Sequence, residues 1–417
     1  MARSVLVVST FEAGFQPLAS ACAAGGLLAA APDVEVSAWD SHLFPDDRPD
    51  GHFSLCLLAC QQYEGLQRSM DVLPTLVRMA DAVVVFGQYA QFNAQAFLNE
   101  GADWVLFDEP ERCATQLAAI ARGDNDVAGL PGGPATDCRK KGLPSGRLRH
   151  SPPARNLFPD IVLYPSNTGP EGLMGNIELS RGCHSHCTYC SVFGAYNGSI
   201  SLMDGDSVFN DVLYLADLGI RHFVFVDAEF FSSRRAGVQM LERIVRAVGP
   251  VTFEMTTRVD HVLGYPEQMR RLTELGLTRV TTALEFPSDR ILRILNKGVT
   301  VVDVEARIKA SHNLGVQLVP TFIPFTPWVE YDELLRFEDW LVATGLASTT
   351  HPTSLQTKLL LFKGSPLLKS PHMADVPLAE KRFSYDWHHA DERVENLWQD
   401  RRDQAEMVGA VRCCVKC

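Results

Sequence analysis

The sequence is short of positive charge: 38 lysines and arginines stand against 50 aspartates and glutamates, a net charge of −12 over 417 residues. Binding along a phosphate backbone needs clustered cations, so this balance argues against a nucleic-acid partner. The one basic stretch, residues 139–149, is set among Gly, Pro and Ser and is typical of a solvated linker.

Long apolar runs are also missing. Val5–Val8 is too short for the apolar part of a secretory signal, and the longest apolar helix candidate, Pro17–Ala31, is too short for a membrane span. We therefore expect no membrane association and a cytoplasmic location. Thiols stay reduced there, so the 11 cysteines predict metal or catalytic chemistry rather than disulfides.

Short apolar runs alternate with helical patterns over residues 1–131, which predicts a small Rossmann-like or flavodoxin-like α/β domain with a parallel sheet. The predicted strands are Val5–Val8, Val34–Ala38, Phe53–Ala59, Ala82–Phe86 and Trp104–Phe107. The predicted helices are Pro17–Ala31, Leu66–Met79, Asn93–Asn99 and Glu111–Arg122.

A linker rich in Pro, Gly and basic residues, 132–175, precedes a second alternating series over residues 176–365. Its predicted strands are Asn176–Leu179, His222–Val226, Thr252–Thr256, Arg279–Leu284, Val316–Phe322 and Leu355–Leu361. Six βα units are fewer than the eight of a closed TIM barrel, so we expect a partial (β/α)6 barrel with its active site at the carboxyl ends of the strands. Residues 366–417 form a C-terminal extension with no predicted strand.

The strongest motif directly follows the first predicted barrel strand and carries Cys183, Cys187 and Cys190 at C-x3-C-x2-C spacing. Three thiolates at this spacing can bind three irons of a 4Fe–4S cubane from one loop and leave the fourth iron open to a small molecule. A zinc site completed by His184 or His186 is the alternative, although zinc loops usually pair two Cys/His knuckles.

This loop resembles that of the radical S-adenosylmethionine (SAM) superfamily, in Arg181-Gly182 before the first cysteine and in Tyr189 before the third. In that family the open iron binds the amino and carboxylate groups of SAM, and the aromatic residue lies near adenine. The resemblance therefore implies a 4Fe–4S cluster and SAM as cofactors, with a flavodoxin- or ferredoxin-type electron donor.

Later segments resemble the same family in the same order. They are Val226–Glu229 (which lacks the family's Gly-Gly), Thr257–Asp260, Leu284-Glu285 followed by Leu295–Gly298, and Leu361–Ser365 at the end of the sixth predicted strand. The resemblance implies SAM contacts by four of their residues: Asp227, Glu229, Arg258 and Glu285. A guanidinium at position 258 could hold a carboxylate, while an ordinary ion pair at the barrel rim is the alternative for Arg258 and for Glu285.

The N-terminal domain resembles the cobalamin-binding domain of one radical SAM subgroup, in Phe86–Tyr89 and Ala102–Glu111. The D-x-H-x-x-G motif that supplies a cobalt ligand in many cobalamin proteins is absent. Asp40–Pro45 comes nearest, but Pro45 replaces the glycine and the segment follows the wrong strand. Cobalamin bound without a histidine is therefore an additional candidate cofactor, and a purely structural domain is the alternative.

The last residues carry a second thiol motif, in which Arg412 and Lys416 accompany Cys413, Cys414 and Cys417. Neighbouring cations favour thiolates, and three soft sulfur ligands suit zinc, an auxiliary cluster or trivalent arsenic. A frayed terminus with incidental cysteines is the alternative.

This ending resembles the R-C-C-L-K-C tail of a radical SAM subfamily that includes an enzyme of arsinothricin biosynthesis. The resemblance implies transfer of the 3-amino-3-carboxypropyl group of SAM to arsenite held by the three tail thiols, with release of methylthioadenosine. A cobalamin-dependent radical SAM methyltransferase acting on a carbon substrate in natural-product biosynthesis is the alternative enzyme. A non-catalytic iron–sulfur or metalloid-binding protein is a third hypothesis.

Overall fold

The computed structural model describes residues 3–124, 130 and 143–407. Two compact units divide the chain: unit 1 is drawn from Met1–His184, Ala195–Val226 and Arg246–Gly249, and unit 2 from Ser185–Gly194, Asp227–Val245 and Pro250–Cys417. The four-part division expected from the sequence stays a prediction. Among the helices of the described ranges, none has both the length and the apolar character needed to cross a bilayer.

The strands of residues 3–124 build one sheet of unit 1: β1 (Ser4–Ser9), β2 (Glu35–Asp40), β3 (Leu55–Ala59), β4 (Val83–Phe86) and β5 (Trp104–Val105). The helices among them are α1 (Leu18–Ala30), α2 (Gly65–Met79), α3 (Gln88–Phe92), α4 (Ala94–Asn99) and α5 (Ala114–Ala121). All strand pairs are parallel, in the order β2-β1-β3-β4-β5 of flavodoxin-like doubly wound sheets. The predicted strands and helices of this part are confirmed, with small differences at their ends.

Burial on both faces explains the apolar runs of this sheet. The side chains of residues 5–8 and 55–58 are fully buried, as expected for strands covered by helices on both sides. Gly25 has a related role in α1, because a Cβ at this position would lie 2.2 Å from the carbonyl oxygen of Pro152. Glycine thus lets the helix lie directly against the segment around Pro152.

The later strands of unit 1 form two smaller groups and are β6 (Gly146–Leu148), β7 (Thr168–Gly169), β8 (Gly172–Ile177), β9 (Ser180–Gly182), β10 (Ile200–Met203) and β11 (His222–Phe225). Helices α6 (Ser191–Tyr196) and α7 (Gly205–Asp217) lie between β9 and β11 along the chain. One group has the order β6-β10-β9. In the other, β8 pairs in parallel with β11 and antiparallel with β7. The first two predicted barrel strands therefore exist, although β8 begins earlier than expected.

Unit 2 holds the remaining strands of the parallel series, β12 (Thr252–Thr256), β13 (Leu277–Glu285) and β14 (Gln317–Phe322), which are parallel neighbours. Its helices are α8 (Arg234–Val248), α9 (Val259–Gly264), α10 (Pro266–Glu274), α11 (Asp289–Ile294), α12 (Val301–Asn313), α13 (Tyr331–Ala343) and α14 (Glu392–Met407). Its short C-terminal strands are β15 (Leu361–Phe362), β16 (Leu378–Glu380) and β17 (Ser384–Trp387). Because β12, β13 and β14 are parallel, their carboxyl ends meet at one edge, where the barrel prediction puts the site.

The sixth predicted barrel strand, Leu355–Leu361, is wrong, so the expected (β/α)6 count is corrected. Its start is a 3-10 turn over Pro352–Leu355, and Lys358 forms only an isolated bridge with Phe325. Only Leu361–Phe362 is a strand, and it pairs antiparallel with β17. The run is apolar because Leu359 and Leu361 are buried. Hydrophobic periodicity cannot distinguish residues that are buried in a loop from residues that are buried in a strand.

The expectation of no strand after residue 366 is also wrong. Strand β17 lies between β15 and β16 in a small antiparallel sheet. All three residues of β16 are exposed, so this strand lacks the alternation of apolar and polar residues that marks a half-buried strand.

Candidate active site

The cysteine loop runs from the end of β9 to the start of α6. Gly182 closes β9 with a φ of 93°, and a Cβ there would lie 2.1 Å from the carbonyl oxygen of Ser199. Only glycine fits this position, which explains why a glycine precedes Cys183. The thiol of Cys183 is partly exposed.

The second half of the loop, in unit 2, contacts the segment after α11. Asn296 has a φ of 54°, the left-handed conformation that often ends a helix. Its side-chain amide donates to the carbonyl oxygen of His186 at 2.7 Å, and the amide of Thr188 donates to that of Leu295 at 3.2 Å. These bonds fix the backbone on both sides of Cys187.

The two cysteines of this half differ in exposure. Cys187 is buried, whereas Cys190 is partly exposed. Three thiols at this spacing can supply one thiolate to each of three irons, so the donor set fits a 4Fe–4S cluster. Within the described part of the chain, no group of three or more His, Cys, Asp or Glu side chains is placed to hold a metal ion.

Arg258, between β12 and α9, lies against Cys187. Its Nη1 donates to Cys187 Sγ at 3.3 Å, its Nε donates to Asp260 Oδ1 at 2.9 Å, and its Nη2 donates to the carbonyl oxygen of Lys297. The side chain is only 13% exposed, so water screens these interactions weakly. The guanidinium predicted to meet SAM is thus held beside a cysteine sulfur.

Glu285 ends β13 in a buried ionic triad with Lys297 and Tyr189. Lys297 Nζ lies 2.6 Å from Glu285 Oε1 and 3.3 Å from the Tyr189 hydroxyl, which itself donates to Glu285. Glu285 is 1% exposed and Lys297 is 3% exposed. Burial would lower the pKa of Lys297, but Glu285 and Cys187 together outweigh burial and raise that pKa, so Lys297 stays protonated.

Tyr189 remains a phenol in this setting. Burial and then the neighbouring Glu285 carboxylate raise its pKa well above the ordinary value. Glu285 also has a φ of 62°, a left-handed conformation that is uncommon for a residue other than glycine. Such backbone strain clusters at functional sites, which agrees with the prediction that Glu285 belongs to the active site.

Glu229 is engaged by the protein itself. One carboxylate oxygen accepts from the amide of Phe231 at 3.0 Å and the hydroxyl of Thr257 at 2.5 Å, and lies 3.0 Å from His261 Nδ1. The other accepts from the amide of Arg258 at 2.9 Å. The carboxylate therefore joins the turn after residue 227 to the end of β12, and its predicted contact with SAM stays a prediction.

The predicted site residues are found in different settings. Cys187, Tyr189, Arg258 and Glu285 are joined through hydrogen bonds within unit 2, and Asp227 is fully buried two residues before Glu229. The tail thiols lie outside the described residues: Cys413, Cys414 and Cys417.

The sequence placed Thr257 and Lys297 in segments that resemble the family but indicated no role for either, and His261 was missed. The signal for Lys297 is its position three residues after α11 ends, in the segment that binds the cysteine loop. Since a fully buried lysine needs a carboxylate partner, pairing with Glu285 could be inferred only once burial is known.

A second buried cluster, in unit 1, fixes the residue just before Gly182. Arg181 Nη1 donates to Glu109 Oε2 at 2.6 Å, its Nη2 donates to Glu111 Oε1 at 3.0 Å, and its Nε donates to Glu178 Oε2 at 2.8 Å. The Tyr196 hydroxyl also donates to Glu109, at 2.8 Å. These contacts thus join the segment that ends at Glu111 to the loop that begins with Arg181. The sequence shows the two as separate motifs.

A family model described as the radical SAM superfamily matches residues 177–341. The match begins at the end of β8, includes the cysteine loop and ends within α13. The chain therefore contains a radical SAM domain, and proteins of this superfamily use a 4Fe–4S cluster and SAM as cofactors.

The chain is also similar to a hopanoid methylase and to two SAM radical enzymes of known structure. Hopanoid C-3 methylase of Methylococcus capsulatus is 25% identical over 250 residues, which are 58% of this chain and 47% of that protein. The cobalamin-dependent SAM radical enzyme OxsB, solved with aqua-cobalamin and SAM bound, has a TM-score of 0.73 at 13% identity and covers 97% of this chain and 66% of its own. The methyltransferase TsrM of Kitasatospora setae has a TM-score of 0.67 at 20% identity, over 88% of this chain and 75% of its own.

These likenesses show an α/β fold with a curled partial-barrel sheet. The chain spans about half the length of the hopanoid methylase that it matches, 47% of it.

Proposed function

We propose that this protein is a cobalamin-dependent radical SAM methyltransferase that methylates a small organic molecule. The observation that carries the proposal is the extent of the likeness to OxsB, which covers 97% of this chain and so takes in both the N-terminal sheet and the cysteine loop. The similarity to a hopanoid methylase and to TsrM supports methyl transfer as the reaction.

Each part of the barrel site has a task in this proposal. The loop cysteines Cys183, Cys187 and Cys190 hold the 4Fe–4S cluster. This cluster, when bound, supplies the electron for reductive cleavage of SAM. Arg258 holds Cys187 from the side of β12, and Lys297 fixes the carboxylate of Glu285. Tyr189, held by Glu285, presents its ring in the loop where the family's aromatic residue lies near adenine.

In the proposal, the N-terminal sheet binds cobalamin at the carboxyl ends of its strands. Ligands of doubly wound sheets bind where the strand order reverses, which in the order 2-1-3-4-5 is between β1 and β3. The residues that follow β3 include Gln61 and Gln62, which are partly exposed and whose amide groups suit the amide side chains of a corrinoid. Gly87 lets the end of β4 lie against that of β3, since a Cβ there would be 2.6 Å from the carbonyl oxygen of Cys60.

No imidazole ligand to cobalt is assigned. His42, the nearest candidate in sequence, follows β2 and packs edge-on against Phe11 with 4.9 Å between ring centroids. The residues present would therefore hold a corrinoid through hydrogen bonds rather than through a histidine that binds cobalt.

The test is retention of cobalamin. Protein incubated with hydroxocobalamin and desalted should keep about one corrinoid per chain in its absorption spectrum, by the one-site argument above. Gln61→Ala with Gln62→Ala should reduce retention, while Gln95→Ala on exposed α4 should leave it unchanged. Absence of retained corrinoid, with SAM-dependent turnover in its absence, would make the sheet a structural domain.

The arsenic hypothesis stays a prediction from the tail motif. The three tail cysteines lie outside the described residues, and the three similar proteins are named for methylation or for cobalamin dependence.

A further inference from the structure

We propose that Arg258 sets the reduction potential of the cluster through its hydrogen bond to Cys187. The inference rests on the proposed role of Cys187 as a cluster ligand. It assigns Arg258 a task that differs from the SAM carboxylate contact expected from the sequence, because it makes the arginine act on the cluster whether or not SAM is present.

The guanidinium is held from three sides. Nε donates to Asp260 at 2.9 Å, Nη2 donates to the carbonyl oxygen of Lys297, and Nη1 is thereby directed at Cys187 Sγ, 3.3 Å away. The backbone is fixed as well, since the amide of Arg258 donates to Glu229 at 2.9 Å. A planar fork with this many fixed partners has little freedom to turn away from the sulfur.

The surroundings leave the positive charge of Arg258 effective at the sulfur. Lys297, the other cation nearby, forms its own buried ion pair with Glu285 at 2.6 Å. Asp260 offsets part of the guanidinium charge but lies on the Nε side, away from the nitrogen that meets Cys187. The side chain of Asp260 is 30% exposed and that of Arg258 is 13% exposed, so water screens the aspartate more than the arginine.

Hydrogen bonds to the ligand sulfurs and the net charge nearby are among the levers that set the potential of an iron–sulfur cluster. A one-electron reduction adds negative charge to the cluster and its thiolates. A charge-assisted donor 3.3 Å from one sulfur stabilises that reduced state more than the oxidised one, so Arg258 should raise the midpoint potential. The raised potential makes it easier for an external donor to load the electron.

The test compares Arg258→Gln and Arg258→Lys with a matched control, Arg279→Gln. Arg279 in β13 pairs with Glu254 at 2.9 Å, so its replacement removes the same charge from the same sheet. Iron and sulfide contents of the reconstituted proteins are measured first. The midpoint potential of each is then measured without SAM by an EPR-monitored redox titration, and SAM affinity is measured separately.

We expect Arg258→Gln to keep its iron and to show a midpoint potential below that of the wild type. Arg258→Lys should fall between the two, because a lysine keeps the charge but cannot reach Cys187 and the Lys297 carbonyl together. Arg279→Gln should match the wild type.

Equal midpoint potentials in Arg258→Gln and the wild type would overturn the inference. If the variant also binds SAM more weakly, Arg258 instead binds the carboxylate of SAM, as the sequence predicts. If the glutamine variant holds no cluster, the lysine variant decides, and a wild-type potential there overturns the inference. A wild-type protein that binds no iron overturns the ligand assignment itself, which separates that failure from this one.

Discussion

The Lys297–Glu285 pair offers a sharp test of the site's architecture. Lys297→Met removes the cation and leaves a carboxylate that is 1% exposed with the Tyr189 hydroxyl as its remaining partner in the triad. Breaking a buried pair from one side usually costs about 3–5 kcal/mol, because the other charge stays buried without compensation. Glu285→Gln in the same chain removes that charge, so the double variant should recover about 2–3 kcal/mol of the summed single effects.

Urea unfolding under anaerobic reducing conditions measures these free energies. Tryptophan fluorescence is a suitable signal for unit 2, which contains Trp328, Trp340, Trp387 and Trp398. Two transitions should be fitted, because a chain of two compact units need not unfold in one step.

The control is Lys363→Met, which removes an exposed ion pair with Glu380 and should cost under about 1 kcal/mol. A loss from Lys297→Met as small as that of the control would refute the triad. A double variant whose loss equals the sum of the singles would refute it equally.

Three further predictions address the cluster, the charge of unit 1 and the tail. Replacing Cys183, Cys187 or Cys190 singly with alanine should abolish SAM cleavage in an anaerobic assay. Normal cleavage by one of these variants would show that the replaced cysteine is not a cluster ligand. Burial raises the pKa of Asp108 to about 6, above its ordinary value, so the folded protein favours the protonated carboxyl. The stability that Asp108 contributes is therefore complete below about pH 4 and is lost as the pH rises through 6. The free energy of unfolding of Asp108→Asn should therefore exceed that of the wild type by about 1–2 kcal/mol at pH 7.5, after allowance for solvent screening, and should equal it at pH 4. A difference in stability that does not change with pH would contradict the burial argument. If the tail binds arsenite, as the arsenic hypothesis requires, replacing Cys413, Cys414 and Cys417 together with serine should abolish that binding and leave the iron content and SAM cleavage intact. Unchanged arsenite binding in this variant would end the arsenic hypothesis.

Sequence patterns predicted the strands of both units well where burial and periodicity coincide. The continuous apolar run at Val5–Val8 and the alternating series at β12 to β14 left little freedom in assignment. The segment at Leu355–Leu361 failed because its apolar residues serve a local turn and a small antiparallel sheet. Hydrophobic periodicity indicates which residues are buried, but it does not indicate which neighbouring element covers them.

The cysteine loop could be found from spacing alone, but its partners could not. The contact of Arg258 with Cys187 joins residues 71 positions apart, and that of Arg181 with Glu109 joins residues 72 apart. Nothing in the local sequence of either arginine specifies its acceptors. The sequence could suggest an arginine at a strand end, but whether it meets a carboxylate or a sulfur depends on tertiary packing.

The identity of the products from SAM tests the proposed methyltransferase activity most directly. Anaerobic protein with reductant, SAM and hydroxocobalamin should form S-adenosylhomocysteine in an amount limited by the bound corrinoid, which would take up the methyl group when no other acceptor is present. The corrinoid should therefore be required for it. Adding arsenite should change neither result. Methylthioadenosine as the main nucleoside, formed with arsenite and without any need for the corrinoid, would contradict the proposal and support transfer of the aminocarboxypropyl group.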